Sequence, residues 1–98
     1  MLTEVQIEQV ILDAMTNANL SRPAGRQIEV APGADVFGGG SPLDSLGLVA
    51  LLIDIEDSLR GAGLEITLSD ERAVSQRSSP FRTVPALRSY IFSLQAEA

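Results

Sequence analysis

The chain has 98 residues, enough for a single domain over 1–98 and too few for two ordinary ones. It contains neither Cys nor His, which excludes disulfides, zinc fingers and nucleophiles of the Cys or Ser–His kind. Thirteen acidic residues against seven arginines give a net charge of −6, which disfavours nucleic acid and anionic membranes as partners and favours basic patches on other proteins.

A first helix is predicted from about Thr3 to Ala18, where Thr3 and Gln6 have the pattern of a capping box. The first residues, Met1-Leu2-Thr3-Glu4, lack the cationic and long apolar regions expected of a signal peptide. No apolar stretch in the chain is long enough to span a bilayer. We therefore expect a soluble, cytoplasmic protein without stable membrane insertion, and a monomer at this size and charge. The helix has one apolar stripe, formed by Ile7, Val10, Ile11, Ala14 and Ala18.

A long connection rich in Gly and Pro, residues 19–44, follows the first helix. A compact domain seldom leaves so long a loop without structure, so we expect part of it to pack against the bundle. The alternation in residues 27–30 is compatible with a strand, but no partner strand is evident. We interpret the segment as an ordered loop that crosses the bundle, anchored by Ile28, Val30, Val36 and Phe37.

The second helix is predicted to begin at Asp44 or Ser45 and to end near Arg60. Its apolar residues cover more than half of the circumference, which is typical of a central helix contacted on several sides: Leu46, Leu48, Val49, Leu51, Leu52, Ile53, Ile55 and Leu59. A polar strip remains, formed by Gly47, Ala50, Asp54, Asp57 and Ser58. Glu56 falls inside the apolar arc, and we expect its carboxylate to reach solvent or a hydrogen-bond partner.

The last third of the chain predicts an extended link over 64–68, a short third helix opening at 69–72, and a loop over 76–80. Thr83 is predicted to cap a final helix with Pro85 in its first turn and an inward stripe of Val84, Leu87, Ile91 and Leu94. The predicted fold is all-α. It is a small bundle of three main helices plus a short helix, with a long ordered loop between the first and second helices.

The segment Leu43-Asp44-Ser45-Leu46 lies where a Gly-rich turn meets the second helix. Ser45 is therefore expected in the first helical turn with an exposed hydroxyl. The free backbone N–H groups there favour a negatively charged adduct. The same position is also ordinary for a capping serine, so the hydroxyl alone does not decide between the two interpretations.

Other kinds of site receive little support from the residues. The glycines at 38–40 are not followed by Gly-Lys-Ser/Thr, so a flexible turn is favoured over a phosphate-binding loop. Ser45 lacks both a His partner and the Gly-x-Ser-x-Gly elbow of a hydrolase nucleophile. The carboxylates of Asp54, Glu56 and Asp57 do not follow a calcium-loop pattern. We therefore predict neither a catalytic residue nor a metal site, and we expect the leucines of the second helix to form core and not a pocket for an acyl chain.

Taken together, these segments resemble an acyl carrier protein, of the superfamily that includes peptidyl and D-alanyl carrier proteins. The resemblance is carried by residues 43–49, 55–57 and 64–66, and by Thr83, Val84, Leu87, Tyr90 and Ile91 in the last helix. It covers most of the chain in the right order. Departures from the common pattern are Gly47-Leu48, Ala50 where many fatty-acid carriers have Glu, Pro85, and an insertion over 75–80.

The resemblance implies that Ser45 carries 4′-phosphopantetheine, moved from coenzyme A by a phosphopantetheinyl transferase that uses Mg²⁺. The thiol of that arm would hold an acyl or aminoacyl group as a thioester, which agrees with the lack of Cys in the chain. Asp44 beside it would help to hold Mg²⁺ during the transfer, or would only cap the helix. Leu46 would flank the arm and contact partner enzymes, or would be a core leucine.

The partner-binding surface implied by the resemblance consists of Leu46, Ala50, Asp54 and Asp57, although charges on a helix more often form a plain solvated face. The expected partners are the transferase and an acyl- or aminoacyl-activating ligase or acyltransferase with basic docking patches. No linker to a larger synthase is evident, so we expect a stand-alone carrier. Because the short chain has neither imidazole nor thiol groups, we do not expect an enzyme. The alternative is an unmodified carrier-like helical module that only binds a protein partner. The cargo stays open among fatty acyl, polyketide, amino acid and specialised acyl groups.

Overall fold

A computed structural model describes residues 2–38, 40–68 and 81–97, apart from the side chains of Ser45 and Glu97. Over these ranges the chain forms three α-helices, which are α1 (Glu4–Asn19), α2 (Ser45–Gly61) and α3 (Val84–Glu97). The predicted all-α bundle with three main helices is confirmed. The predicted short helix at 69–72 and the loop at 76–80 lie outside the described residues. No helix in the described ranges is long and apolar enough to cross a membrane.

Helix α1 begins with the predicted capping box and extends one residue beyond the predicted end. The Thr3 hydroxyl accepts from the Gln6 N–H at 3.1 Å, and the Gln6 side-chain oxygen accepts from the Thr3 N–H at 2.8 Å. Two orphan N–H groups of the first turn are thereby satisfied. Most of the predicted stripe is buried, but Val10 and Ala18 are only partly covered, and the sequence analysis missed a further buried residue, Met15.

Helix α1 packs against both α2 and α3. Its contacts with α3 show that the two helices are antiparallel. The Arg88 guanidinium donates to the Glu8 carboxylate at 2.7 Å, while near the other end of α3 the Gln95 side chain bonds both backbone groups of Leu2. Between the helices lies one core of buried residues: Ile7, Ile11, Ala14, Met15, Ile28, Ala34, Val36, Leu43, Leu48, Leu51, Leu52, Ile55, Leu59, Leu64, Leu68, Phe81, Val84, Leu87 and Ile91.

The long connection between α1 and α2 is ordered and packs on the bundle, as predicted. A short 3₁₀ turn, Ala24–Arg26, lies within it. The Asn19 side chain then pins the loop to the end of α1, because its amide donates to the Ile28 carbonyl at 2.8 Å and its oxygen accepts from the Ile28 N–H at 2.7 Å. Ile28 is buried as predicted.

The prediction that Val30 anchors the loop is wrong, since its side chain is 39% exposed. An extended chain would bring Val30 to the same face as Ile28. The chain instead turns immediately afterwards, and the Ala34 N–H donates to the Ala31 carbonyl at 3.0 Å. This turn carries Ala34 into the core and leaves Val30 outside. The other two predicted anchors contact the core, Val36 fully buried and Phe37 partly.

Residues 34–37 are fastened to the segment that precedes α3, and we call this connection the loop clasp. The Arg82 carbonyl accepts from the N–H groups of Val36 and Phe37 at 2.8 and 3.2 Å, and the Val84 N–H donates to the Ala34 carbonyl at 3.0 Å. Beside it, the buried Phe81 ring meets the Tyr90 ring edge-on at 5.7 Å between centroids. The loop clasp therefore ties the middle of the long loop to the start of α3.

Candidate functional site

The start of α2 is a capped helix terminus, and Asp44 is its cap. Asp44 has an extended backbone, with φ −91° and ψ −178°, and its Oδ1 accepts from the Gly47 N–H at 2.7 Å. The Leu48 N–H then donates to the Asp44 carbonyl at 2.9 Å and opens the helical ladder. This confirms the capping interpretation of Asp44, while its predicted part in holding Mg²⁺ stays a prediction.

Gly47 allows two neighbouring side chains to close over this first turn. A Cβ atom built on Gly47 would lie 2.9 Å from Leu43 Cδ2 and 3.2 Å from Asp44 Oδ1. Because Leu43 is buried, it has little freedom to move away from such an atom. A side chain at position 47 would therefore require Leu43 or Asp44 to move.

Ser41 fixes the backbone that leads into the cap, a role that the sequence analysis missed. Its hydroxyl donates to the Val36 carbonyl at 2.7 Å and accepts from the Leu43 N–H at 3.3 Å. Its own N–H donates to the Gly38 carbonyl at 3.0 Å, closing a turn in which Gly38 has a φ of 80°. The sequence signal was a hydroxyl residue directly after three glycines, where side-chain-to-backbone bonds are common.

Ser45 is the first residue of α2, as predicted, but its side chain lies outside the described part of the structure. Its neighbours define the surroundings. Asp44 is exposed, and Leu46 is 79% exposed. The interpretation of Leu46 as a core leucine is therefore wrong. Leu43 and Leu48 occupy the buried positions on either side of it, and the residue between them points to solvent.

The exposed face of α2 continues from Leu46 along one side of the helix. Ala50 and Asp54 are exposed, and Ile53, seven residues after Leu46, is 44% exposed. The prediction that Ile53 belongs to a covered arc is wrong. Among the described helices, α1 is the one that packs against α2. Leu46 and Ile53 belong to the predicted apolar arc but are exposed. We call Leu46, Ala50 and Ile53 the α2 apolar stripe.

The three carboxylates of α2 differ in their surroundings. Asp54 is exposed, whereas the Asp57 carboxylate accepts from the Arg60 guanidinium at 2.8 Å at the surface. The Glu56 carboxylate accepts from the Leu68 N–H at 2.5 Å and holds the extended link against the helix. This confirms that Glu56 meets a hydrogen-bond partner. Arg60 therefore offsets the charge of Asp57 at the surface, while the Glu56 carboxylate is directed to the extended link.

The described residues show no metal-binding cluster, and the inner leucines of α2 lie in the core. Within the described ranges no group of three or more acidic, Cys or His side chains is arranged to hold a metal ion. The leucines of α2 at 48, 51, 52 and 59 are all buried in the core, which supports core packing for them. An open cleft of about 350 Å³ lies at the other end of α2, lined by Arg60, Glu65, Ile66 and Thr67.

Comparison with known proteins gave no match to a family model, to a curated protein sequence or to a solved structure. The case for a function therefore depends on the residues of this chain and their arrangement.

Proposed function

We propose that this chain is a stand-alone carrier protein that holds an acyl or aminoacyl group on a 4′-phosphopantetheine arm attached to Ser45. The observation that carries the proposal is the placement of Ser45. It is the first residue of a capped helix, behind an ordered loop, with exposed residues on both sides. The resemblance of residues 43–49, 55–57 and 64–66 to an acyl carrier protein supports the same proposal.

The start of α2 fits an anionic group of this kind. The Asp44 carboxylate accepts a hydrogen bond from the Gly47 N–H. The other N–H groups of the first turn have no intrahelical partner, as at the start of any α-helix. Such groups favour a phosphodiester. The exposure of Asp44 and Leu46 leaves room for a long arm, and Leu46 would flank it. When bound, the group would supply the thiol that the chain itself lacks.

Attachment would be a phosphoryl transfer catalysed by a separate enzyme. The Ser45 hydroxyl oxygen would bond to the phosphorus of coenzyme A that bears the pantetheine, the bond from that phosphorus to 3′,5′-ADP would break, and the hydroxyl proton would pass to a base of the transferase. The chain therefore needs no catalytic base of its own, and we propose that it is not an enzyme. Mg²⁺ would neutralise the phosphates, with Asp44 as a candidate ligand.

The proposed docking surface for the transferase and for a loading ligase or acyltransferase is Leu46, Ala50, Asp54 and Asp57, extended by Ile53. All five are exposed along α2. The basic docking patches expected on these partners would face mainly Asp54, because Arg60 already pairs with Asp57. We retain a cytoplasmic location and a monomeric state as predictions.

A second candidate is a carrier-like module that binds a protein partner and is never modified. The observation in its favour is the α2 apolar stripe, which is exposed on the unmodified chain and is available to a protein partner. The two candidates differ in one property, the modification of Ser45.

The test is the intact mass of the protein after incubation with coenzyme A, Mg²⁺ and a broad-specificity phosphopantetheinyl transferase. The parent and a Ser58→Ala control at the far end of α2 should each gain one phosphopantetheine, and Ser45→Ala should gain none. A parent that gains no mass with this enzyme or with the transferase of its own genome would overturn the proposal in favour of the unmodified module. Gain of mass by Ser45→Ala would place the attachment elsewhere.

A further inference from the structure

A continuous set of contacts connects the start of α3 with the start of α2. In the loop clasp, the Arg82 carbonyl accepts from the Val36 N–H. The carbonyl of the same Val36 accepts from the Ser41 hydroxyl at 2.7 Å. Ser41 in turn accepts from the Leu43 N–H, and the Leu43 side chain packs over the first turn of α2 at Gly47. Ser41 is thus the side chain that joins the clasped loop to the capped helix.

The glycines before Ser41 make this connection important. A run of three glycines at 38–40 has many accessible backbone conformations, and none of the three has a side chain to hold it in one of them. Among the described residues, two side-chain contacts restrain this turn. The Asp35 carboxylate accepts from the Gly40 N–H at 3.0 Å, and the Ser41 hydroxyl donates to the Val36 carbonyl. Of the two, only the Ser41 hydroxyl also contacts the residue before the cap.

We propose that Ser41 is a positioning residue for the modification of Ser45, an inference that rests on the proposed function. The hydrogen bonds of the Ser41 hydroxyl, among the described residues, go to Val36 and Leu43, which both precede α2. Ser41 holds the backbone of residues 41–44 so that α2 begins at Ser45 and the Ser45 hydroxyl is presented at a fixed place to the transferase. Small displacements of a reacting group cost large factors in rate, since the reacting atoms must be within about 3–3.5 Å and aligned.

The role predicts a particular kinetic pattern for Ser41→Ala. Loss of the hydroxyl removes both bonds of the side chain but removes none of the α2 side chains proposed to contact the transferase. Docking of the transferase, reflected in KM, should therefore change less than about twofold, while kcat should fall by about tenfold. Ser41→Thr keeps the hydroxyl and tolerates the extended backbone that precedes Pro42, so it should restore kcat.

The experiment measures kcat and KM of a phosphopantetheinyl transferase on the parent, Ser41→Ala, Ser41→Thr and a control, Ser21→Ala. Ser21 is an exposed loop serine whose hydroxyl donates to the Ala18 carbonyl, far along the chain from α2. Amide hydrogen exchange on the unmodified proteins gives a second readout without the transferase. In Ser41→Ala, exchange should rise at Leu43 and Gly47 and stay unchanged within α1.

Each outcome decides a different statement. If the parent is not modified, the proposed function falls, and with it the role of Ser41 in modification. If the parent is modified and Ser41→Ala keeps the parental kcat, only the role of Ser41 is overturned. If Ser41→Thr does not restore kcat, the hydroxyl is not what positions Ser45, and the role of Ser41 is overturned. If exchange rises in α1 as much as at Gly47, the variant has lost stability in general, and the role is overturned as well.

Discussion

Asp44 caps α2, so a substitution that tests its functional role also affects the stability of the helix. Its Oδ1 accepts from the Gly47 N–H at 2.7 Å and caps α2. A cap of this kind contributes about 1 kcal/mol to stability, and Asn performs it about as well as Asp. Asn does not carry the negative charge that would bind Mg²⁺. Substitution by Asn and by Ala therefore separates the two interpretations that the sequence left open.

We expect Asp44→Ala to lower the free energy of unfolding by about 1 kcal/mol and Asp44→Asn to leave it nearly unchanged. Both variants should slow modification of Ser45 at fixed coenzyme A, because both lose the carboxylate. The measurements are urea denaturation and the initial rate of mass gain over a range of Mg²⁺ concentrations. If Asp44→Asn is modified at the parental rate, Asp44 is a cap and does not assist the metal.

Helix α2 presents leucines of two kinds, and their exposure distinguishes them. Leu46 is almost fully exposed beside Ser45, whereas Leu48, two residues later, is buried. Truncation of a surface residue usually changes stability by less than about 0.5 kcal/mol, while removal of a buried leucine costs about 2–5 kcal/mol. Leu46 therefore has little to contribute to the fold, and its large apolar side chain is available to a partner.

We expect Leu46→Ala to have the melting temperature of the parent and Leu48→Ala to have a much lower one. In the transferase assay Leu46→Ala should lose at least about fivefold in kcat/KM, equivalent to about 1 kcal/mol of an interface contact. Leu20→Ala is the matched control, since Leu20 is 83% exposed at the end of α1, away from the α2 apolar stripe. An equal loss in Leu20→Ala, or no loss in Leu46→Ala, would remove the case for docking at this stripe.

The helices and their caps could be predicted from the sequence because the signals are local. The capping box at Thr3 and the cap at Asp44 each depend on residues within three positions, and so does Thr83, whose hydroxyl accepts from the Ala86 N–H at 3.2 Å. Which apolar residues are covered was harder to predict. Leu46 and Ile53 lie on an apolar arc of α2 that is wider than its buried face, and helical periodicity does not reveal how much of such an arc is buried.

Contacts between distant segments account for what the sequence could not predict about the site. The hydroxyl of Ser41 has its partner in Val36 only because the loop clasp brings residues 34–37 to the start of α3. The glycine run at 38–40 predicted a turn, but it did not predict where the chain leads after that turn. The position of Ser45 at a helix start was predictable, whereas the scaffold that holds this helix start became visible only in the folded chain.

At the scale of the whole molecule, two polar contacts fasten α3 to the beginning of the chain. Arg88 pairs with Glu8, and Gln95 bonds both the N–H and the carbonyl of Leu2, at 2.6 and 2.8 Å. Gln95 is only 7% exposed and is the buried polar side chain of the described core. Because Leu2 and Gln95 are 93 residues apart, these bonds close nearly the full length of the chain.

We expect Gln95→Ala to lower the free energy of unfolding by about 1–3 kcal/mol, because it leaves two backbone groups of Leu2 partly buried without partners. Gln95→Glu should not restore stability, since a carboxylate accepts from the Leu2 N–H but cannot donate to its carbonyl. Gln9→Ala is the control, because Gln9 contacts only Asp13 in an exposed pair. Urea denaturation measures the effect. If Gln95→Ala has the same free energy of unfolding as the parent and Gln9→Ala, water replaces these hydrogen bonds without loss of stability. The two ends of the chain are then held by the apolar core and the Glu8–Arg88 pair.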